Sequence, residues 1–161
     1  MIPEGNVAEL QSAVDGDVQA AYSKCFENGR ICRAKDLKEF TGVGPSEQSV
    51  QKGYEECFEH GWIDDAKALK ELTGVEPVIN KESVQKGYDS RFEYGRIDIV
   101  MALKEFTGVE PKVKEESVQK GYEWCFERSF IDYAMALKEF TGIAPSEELL
   151  MEHPKMAEAL K

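Results

Sequence analysis

Ser49-Val-Gln-Lys-Gly-Tyr54 returns unchanged as Ser83–Tyr88 and again as Ser117–Tyr122, each copy 34 residues after the last. A second block keeps the same step: Ala68-Leu-Lys-Glu-Leu-Thr-Gly-Val75 reappears at Ala102–Val109 and Ala136–Ile143. A more divergent copy stands 32 residues upstream, as Asp17-Val-Gln-Ala-Ala-Tyr22 and Asp36-Leu-Lys-Glu-Phe-Thr-Gly-Val43. The two-residue difference falls in the connector, where Pro45-Ser-Glu-Gln-Ser49 is shorter than Pro77-Val-Ile-Asn-Lys-Glu-Ser83. Self-similarity at such a period marks stacked units, each too small to bury its apolar face alone.

Each unit reads as two short helices, A and B. In the second unit helix A is expected from about Glu47 to His60. Its apolar residues Val50, Tyr54, Cys57 and Phe58 fall on one helical face. Gly61 then ends it in the left-handed conformation. Helix B begins near Ile63, with Asp64 and Asp65 in the first turn, where the helix dipole favours negative charge. Its buried stripe is Ile63, Ala66, Leu69 and Leu72, with Val75 beyond the end and folding back on the last turn. The stop is repeated four times, as Thr41–Pro45, Thr73–Pro77, Thr107–Pro111 and Thr141–Pro145: glycine supplies the αL residue and proline forbids continuation. Ser46, Asn80 and Ser146 stand at N-cap positions, whereas Lys114 in the same place is a poor cap.

The expected fold is therefore all-α: a right-handed α-solenoid of about four helix–turn–helix repeats, with capping helices at both ends and nine to eleven helices in all. The chain reads as one domain over residues 1–161, with an N-terminal cap at 1–16, repeats at 17–46, 47–80, 81–114 and 115–145, and a C-terminal cap at 146–161. Asn6–Val14 is the expected first capping helix. Ser146-Glu-Glu-Leu-Leu-Met starts a fifth helix A that departs from the repeat at His153-Pro154.

Composition fits a folded chain with a core: 42% hydrophobic and 32% charged residues in 161. Net charge is −11 and sits mainly in residues 47–80 and 115–148, at −5 each. Such a balance disfavours a phosphate backbone or an anionic membrane as partner. No apolar run is long enough to span a membrane, and MIPEGNVAEL has neither the basic start nor the apolar core of a secretory signal. Cys25, Cys57 and Cys125 share one repeat position and, with Cys32, lack CxxC spacing, which points to small core residues in a reducing compartment. A cytoplasmic location is expected.

No metal or cofactor is expected. Cys57 and His60 are two ligands without a third, and Cys57 is expected to pack inward with His60 solvated. The acidic pairs Glu55/Glu56 and Asp64/Asp65 do not face each other on a helix. With no phosphate loop or nucleophile elbow, no catalytic set assembles and the chain reads as a non-enzyme.

Two groups of residues remain as candidates for partner binding. Lys52, Lys86 and Lys120 form a column along helix A, either a ladder for phosphate or carboxylate groups or partners of Glu55, Glu56, Asp89 and Glu123 at helical spacing. The second group comes from columns that change between units, which scaffold needs do not explain: Lys24/Glu56/Ser90/Trp124, Asn28/His60/Tyr94/Arg128, Arg30/Trp62/Arg96/Phe130 and Arg33/Asp65/Ile99/Tyr133. Trp62, Tyr94, Trp124, Phe130 and Tyr133 are the aromatic members, of the kind favoured in binding hot spots. Trp62 and Trp124 are expected exposed; Phe130 and Tyr133 are either exposed or covered by Leu149, Leu150, Met156 and Leu160.

The unit resembles the pentatricopeptide/tetratricopeptide class of helical repeats over about residues 17–145. Gly61-Trp-Ile-Asp-Asp-Ala66, Gly95-Arg-Ile-Asp-Ile-Val100 and the Gly-Val/Ile-x-Pro endings carry the likeness. Helix B is about three residues shorter than the pentatricopeptide pattern and the connector after proline is longer. The pentatricopeptide side implies single-stranded RNA binding, with Ala20, Lys52, Lys86 and Lys120 at the base-reading positions. The tetratricopeptide side implies protein or peptide binding. The leading expectation is a non-enzymatic protein- or peptide-binding scaffold. Single-stranded RNA binding is the alternative, and an acidic nucleic-acid mimic is a third.

Overall fold

A computed structural model describes residues 18–160. The expected cap at Asn6–Val14 lies outside the described residues. Ten helices and no strand are present among the described residues: α1 (Val18–Glu27), α2 (Ile31–Thr41), α3 (Glu47–Glu59), α4 (Ile63–Thr73), α5 (Lys81–Glu93), α6 (Ile97–Thr107), α7 (Glu115–Glu127), α8 (Ile131–Thr141), α9 (Glu147–Glu152) and α10 (Pro154–Ala159). The chain divides into two compact units: the first holds residues up to Phe58 with Trp62–Asn80, and the second holds Glu59–Gly61 with residues from Lys81 onward. In each unit hairpins stack so that a helix packs on its neighbour and on the next helix but one, the packing of an α-helical-repeat solenoid.

The core follows the repeat column by column. In the first unit Tyr22, Phe26, Val50, Tyr54, Cys57 and Phe58 of the A helices meet Ala34, Leu37, Ala66 and Leu69 of the B helices, all fully or nearly fully buried. The second unit repeats this with Val84, Tyr88, Phe92, Val118, Tyr122, Cys125 and Phe126 against Val100, Leu103, Ala134 and Leu137. Leu72 is only half-buried. Gly121 has a steric role: a Cβ there would come within 2.1 Å of the Phe92 carbonyl oxygen, so α7 approaches α5 backbone to backbone.

Helix B ends as the Thr-Gly-Val-x-Pro motif dictates. Gly42, Gly74, Gly108 and Gly142 adopt φ between 68 and 70°, and each N–H donates to the lysine carbonyl four residues back. The threonine hydroxyl adds a second closure: Thr73 Oγ1 donates to the Leu69 carbonyl (2.8 Å) and accepts from the Val75 N–H (3.2 Å). The residue after glycine acts through its backbone. In every repeat its carbonyl accepts from the buried tyrosine of helix A: Tyr22 to Val43, Tyr54 to Val75, Tyr88 to Val109 and Tyr122 to Ile143, at 2.6–2.7 Å. Val43 itself is exposed rather than folded back on α2. The invariant glutamine of helix A clamps the connector that follows. Gln51 Nε2 donates to the Glu76 carbonyl (2.8 Å), and its Oε1 accepts from the Val78 N–H (2.7 Å). Gln85 and Gln119 grip their own connectors in the same way.

Ser46 and Ser146 cap α3 and α9 by accepting from the Ser49 and Leu149 N–H groups. Lys114 precedes α7 without capping it through its side chain. Its ammonium instead pairs with Asp89 of α5. In the first unit the Asn80 amide reaches Glu55, the matching residue of α3. The position thus ties one repeat to the helix A before it. At the C-terminus α9 and α10 form a shortened hairpin: Pro154 opens α10, and Leu149, Met156 and Leu160 are buried. Lys138 Nζ donates to the Leu160 carbonyl (2.5 Å), as Lys38 does to the Leu72 carbonyl in the first unit (3.2 Å).

The A–B turn carries one strained residue. Gly29, Gly61 and Gly95 take φ of 59–60° there, and Ser129 is forced to 57° in the fourth repeat. A non-glycine side chain in that conformation costs about 1 kcal/mol or more. Ser129→Gly should therefore raise stability by up to about 1 kcal/mol, read as a higher denaturation midpoint. An unchanged or lower midpoint would place the strain elsewhere.

Candidate functional site

The second unit gathers four of the aromatic candidates. Tyr94 opens the turn after α5, Trp124 lies on α7, Phe130 precedes α8 and Tyr133 sits in the first turn of α8. Their rings form one chain of contacts: Tyr94 to Trp124 at 6.0 Å and 88°, Trp124 to Phe130 at 5.3 Å and 53°, and Phe130 to Tyr133 at 5.7 Å and 76°. Edge-to-face rings at such distances attract by about 0.5–1.5 kcal/mol beyond their burial. The C-terminal hairpin does not bury them: Tyr94 is 46%, Phe130 41% and Tyr133 36% exposed. His153 of that hairpin packs instead on Phe126 in the core. Trp124 is half-buried, because its ring is flanked by Tyr94, Phe130 and Arg128.

Two arginines complete the cluster. The Arg128 guanidinium lies 4.8 Å from the centre of the Trp124 ring, and that of Arg96 lies 5.9 Å from the centre of Tyr133. Arg96 also donates two hydrogen bonds to Asp98, at 2.9 and 2.7 Å, which hold the Asp98 carboxyl below the usual carboxylate range. Arg128 pairs with Glu127 at 3.2 Å. Nearby, the third repeat places Arg91 in the column filled elsewhere by Cys25, Cys57 and Cys125. Its Nη2 donates to the His60 carbonyl (2.8 Å), and its Nε is buried with no hydrogen-bond partner.

Trp62 belongs to the first unit. It is half-buried rather than open, with its ring against Gly29, where a Cβ would meet two ring carbons at 3.1 Å. The lysine column has a different partner from the one helical spacing suggested. Lys52 pairs with Glu27, Lys86 with Glu59 (3.1 Å) and Lys120 with Glu93 (3.3 Å), in each case the glutamate ending the preceding helix A. Lys120 also meets Glu116, four residues earlier (3.1 Å). These are exposed pairs that fix register more than they stabilise. The column is bound up in the stacking of repeats, so it is no ladder of available ammonium groups.

The cysteines separate by environment. Cys57 and Cys125 are buried, Cys25 is half-buried and Cys32 is exposed. Burial pushes the Cys57 thiol up to about 12 and the Cys125 thiol up to about 11. The thiolate is the reactive form, so at pH 8 an alkylating reagent should label Cys32 in the native protein and spare Cys57 and Cys125. Equal labelling of all three would remove Cys57 and Cys125 from the core. His60 is exposed, as expected. Among the described residues no three His, Cys, Asp or Glu side chains are placed to hold a metal ion, and no helix is long and apolar enough to cross a membrane.

Fold and surface define the chain as an all-α helical-repeat protein with an exposed aromatic–arginine cluster on its third and fourth repeats. No family model, curated protein or solved structure matches it.

Proposed function

We propose that the chain is a non-enzymatic helical-repeat scaffold that binds a protein or peptide through the aromatic edge of the third and fourth repeats. The observation that carries this reading is the unbroken run of Tyr94, Trp124, Phe130 and Tyr133 at the surface. Every one of these rings stands in a column that the scaffold leaves free to vary. Exposed aromatic residues lacking a partner are costly to keep in water, and Trp, Tyr and Arg dominate the energetics of protein interfaces. The Gly-x-Ile-Asp turns and Gly-Val-x-Pro endings support a likeness to the pentatricopeptide/tetratricopeptide class. Its use is closer to the tetratricopeptide side. The lysines at the base-reading positions are engaged with Glu27, Glu59 and Glu93, and the net charge of −11 opposes a phosphate backbone.

The test is affinity capture with the full chain and with Phe130→Ala and Tyr133→Ala variants. Both changes remove exposed rings, so the unfolding midpoint should stay within about 1 kcal/mol of wild type. A partner retained by the wild type should be lost from both variants. Capture that is indifferent to both rings would move the interface away from this edge.

A further inference from the structure

We propose that the occupant of the aromatic edge is a basic peptide segment, with Arg or Lys side chains seated on the rings of Trp124 and Tyr133. The inference rests on the binding role proposed above and names the chemistry of the partner.

Three observations point to a cationic partner. First, the rings already hold cations. Arg128 and Arg96 lie over Trp124 and Tyr133, at 4.8 and 5.9 Å from the ring centres. The π-face of Trp, then Tyr, is the aromatic surface that attracts a guanidinium or ammonium most strongly. Second, the rings meet at 88°, 53° and 76°. They form non-parallel walls, which can contact a side chain from more than one direction. Third, the surrounding charge has the complementary sign. Glu123, Glu127 and Asp132 stand against Arg128 over this stretch, and residues 115–148 carry −5 of the chain's −11. Both internal cations are already countered, Arg96 by Asp98 and Arg128 by Glu127. Glu123 and Asp132, the sequence neighbours of Trp124 and Tyr133, are exposed and in no ion pair among the described residues. An acidic segment would add to this excess, whereas a basic one neutralises it and is steered in by the field of the whole chain.

Arg128 then holds the place of the incoming cation, and this gives the test its sign. A random dodecapeptide library is selected on the immobilised full chain, with counter-selection on Trp124→Ala. Enriched peptides should carry Arg or Lys beside an apolar residue. The strongest is then titrated by intrinsic fluorescence of Trp62 and Trp124, with calorimetry for variants lacking Trp124. Trp124→Ala should weaken binding at least tenfold, the loss expected of a central aromatic anchor. Arg128→Gln removes a competing cation and should tighten binding about two- to threefold. Glu123→Gln with Asp132→Asn should weaken it severalfold and flatten its salt dependence. Thermal unfolding of each variant separates loss of binding from loss of fold, and Phe130→Ala serves as the anchor variant where Trp124→Ala unfolds. Enriched acidic peptides, or binding lost in Arg128→Gln, would overturn the choice of a basic partner and leave the binding role standing. Preferential retention of a single-stranded oligonucleotide, or wild-type self-association abolished by Phe130→Ala, would overturn it equally. A selection yielding no peptide that depends on these rings would overturn both.

Discussion

Gly121→Val should destabilise the second unit by about 3 kcal/mol, the upper range for overpacking a core. The obstacle is backbone, which makes this the severest glycine substitution in the stack. A Cβ at Gly121 would lie 2.1 Å from the Phe92 carbonyl oxygen and 3.0 Å from Leu137 Cδ2. A side chain can change rotamer to make room, but the Phe92 carbonyl is fixed in the last turn of α5, where it accepts from the Gly95 N–H (2.9 Å). Relief therefore requires α7 to move off α5, which also loosens Tyr122, Phe126 and Leu137. The matching Gly53 is a graded comparison. Its Cβ would meet only side-chain atoms, Leu69 Cδ2 and Phe26 Cβ and Cγ, all at 3.0 Å. Gly53→Ala should cost less than Gly121→Ala in chemical denaturation. Equal costs would mean that close backbone approach is not what glycine provides in this column.

Tyr122→Ala should cost about 3–5 kcal/mol, the range for removing a large ring from a core, and Tyr122→Phe about 1 kcal/mol. The two changes separate two jobs of one side chain. The ring is completely buried and packs beside Phe126 at 6.1 Å. The hydroxyl donates to the Ile143 carbonyl at 2.7 Å, tying helix A to the end of helix B. Phenylalanine keeps the first job and loses the second. A pH effect follows from the same burial. Desolvation, with the Cys125 thiol adding to it, pushes the Tyr122 phenol up to about 12, and Tyr54 is raised to about 12 by burial and by Glu76. An unfolded chain releases these protons near pH 10, so it binds fewer protons than the folded one between about 10 and 12. Their contribution is present in full below pH 10 and is lost as pH rises through that window. Tyr122→Phe should make the alkaline loss shallower; an unaltered slope would exclude the phenol as a source.

The fold was readable because its information is local and repeated. Periodicity gives the helical faces, Gly-x-x-Pro gives the stops, and the Val50–Tyr54–Cys57–Phe58 and Ile63–Ala66–Leu69 stripes are the buried ones. Relations between successive repeats were not readable. Lys52, Lys86 and Lys120 lie three or four residues from acidic neighbours, and helical spacing alone suggests those partners. Their shared partner is a glutamate 25 to 27 positions earlier, set by how neighbouring A helices align. The same holds for the Gln51 clamp and the Tyr54 latch. Both residues repeat visibly, but the atoms they grip are backbone carbonyls and N–H groups, which leave no signature in residue identity. The strain at Ser129 had a faint signal, since serine breaks a column of glycines.

The aromatic candidates illustrate the same limit. Departure from the repeat picked out Tyr94, Trp124, Phe130 and Tyr133, but it said nothing of whether they touch. Columns 28, 24, 30 and 33 of the first repeat are separate positions in sequence. They converge because the end of helix A and the start of helix B meet at one turn, and stacking brings the turns of α5/α6 and α7/α8 side by side. Trp62 shares a column with Phe130 but packs on Gly29, so column membership alone does not make a residue part of the cluster.

The most direct measurement is an alanine scan across the third and fourth repeats with two readouts on every variant, resistance to proteolysis and retention of a selected peptide. Tyr88, Leu103, Tyr122 and Leu137 should lose both, because they are fully buried scaffold. Tyr94, Phe130 and Tyr133 should lose the peptide and keep their resistance. Peptide retention that maps to the lysine column, or aromatic variants that fail by unfolding, would contradict the assignment of binding to the edge formed by the variable columns.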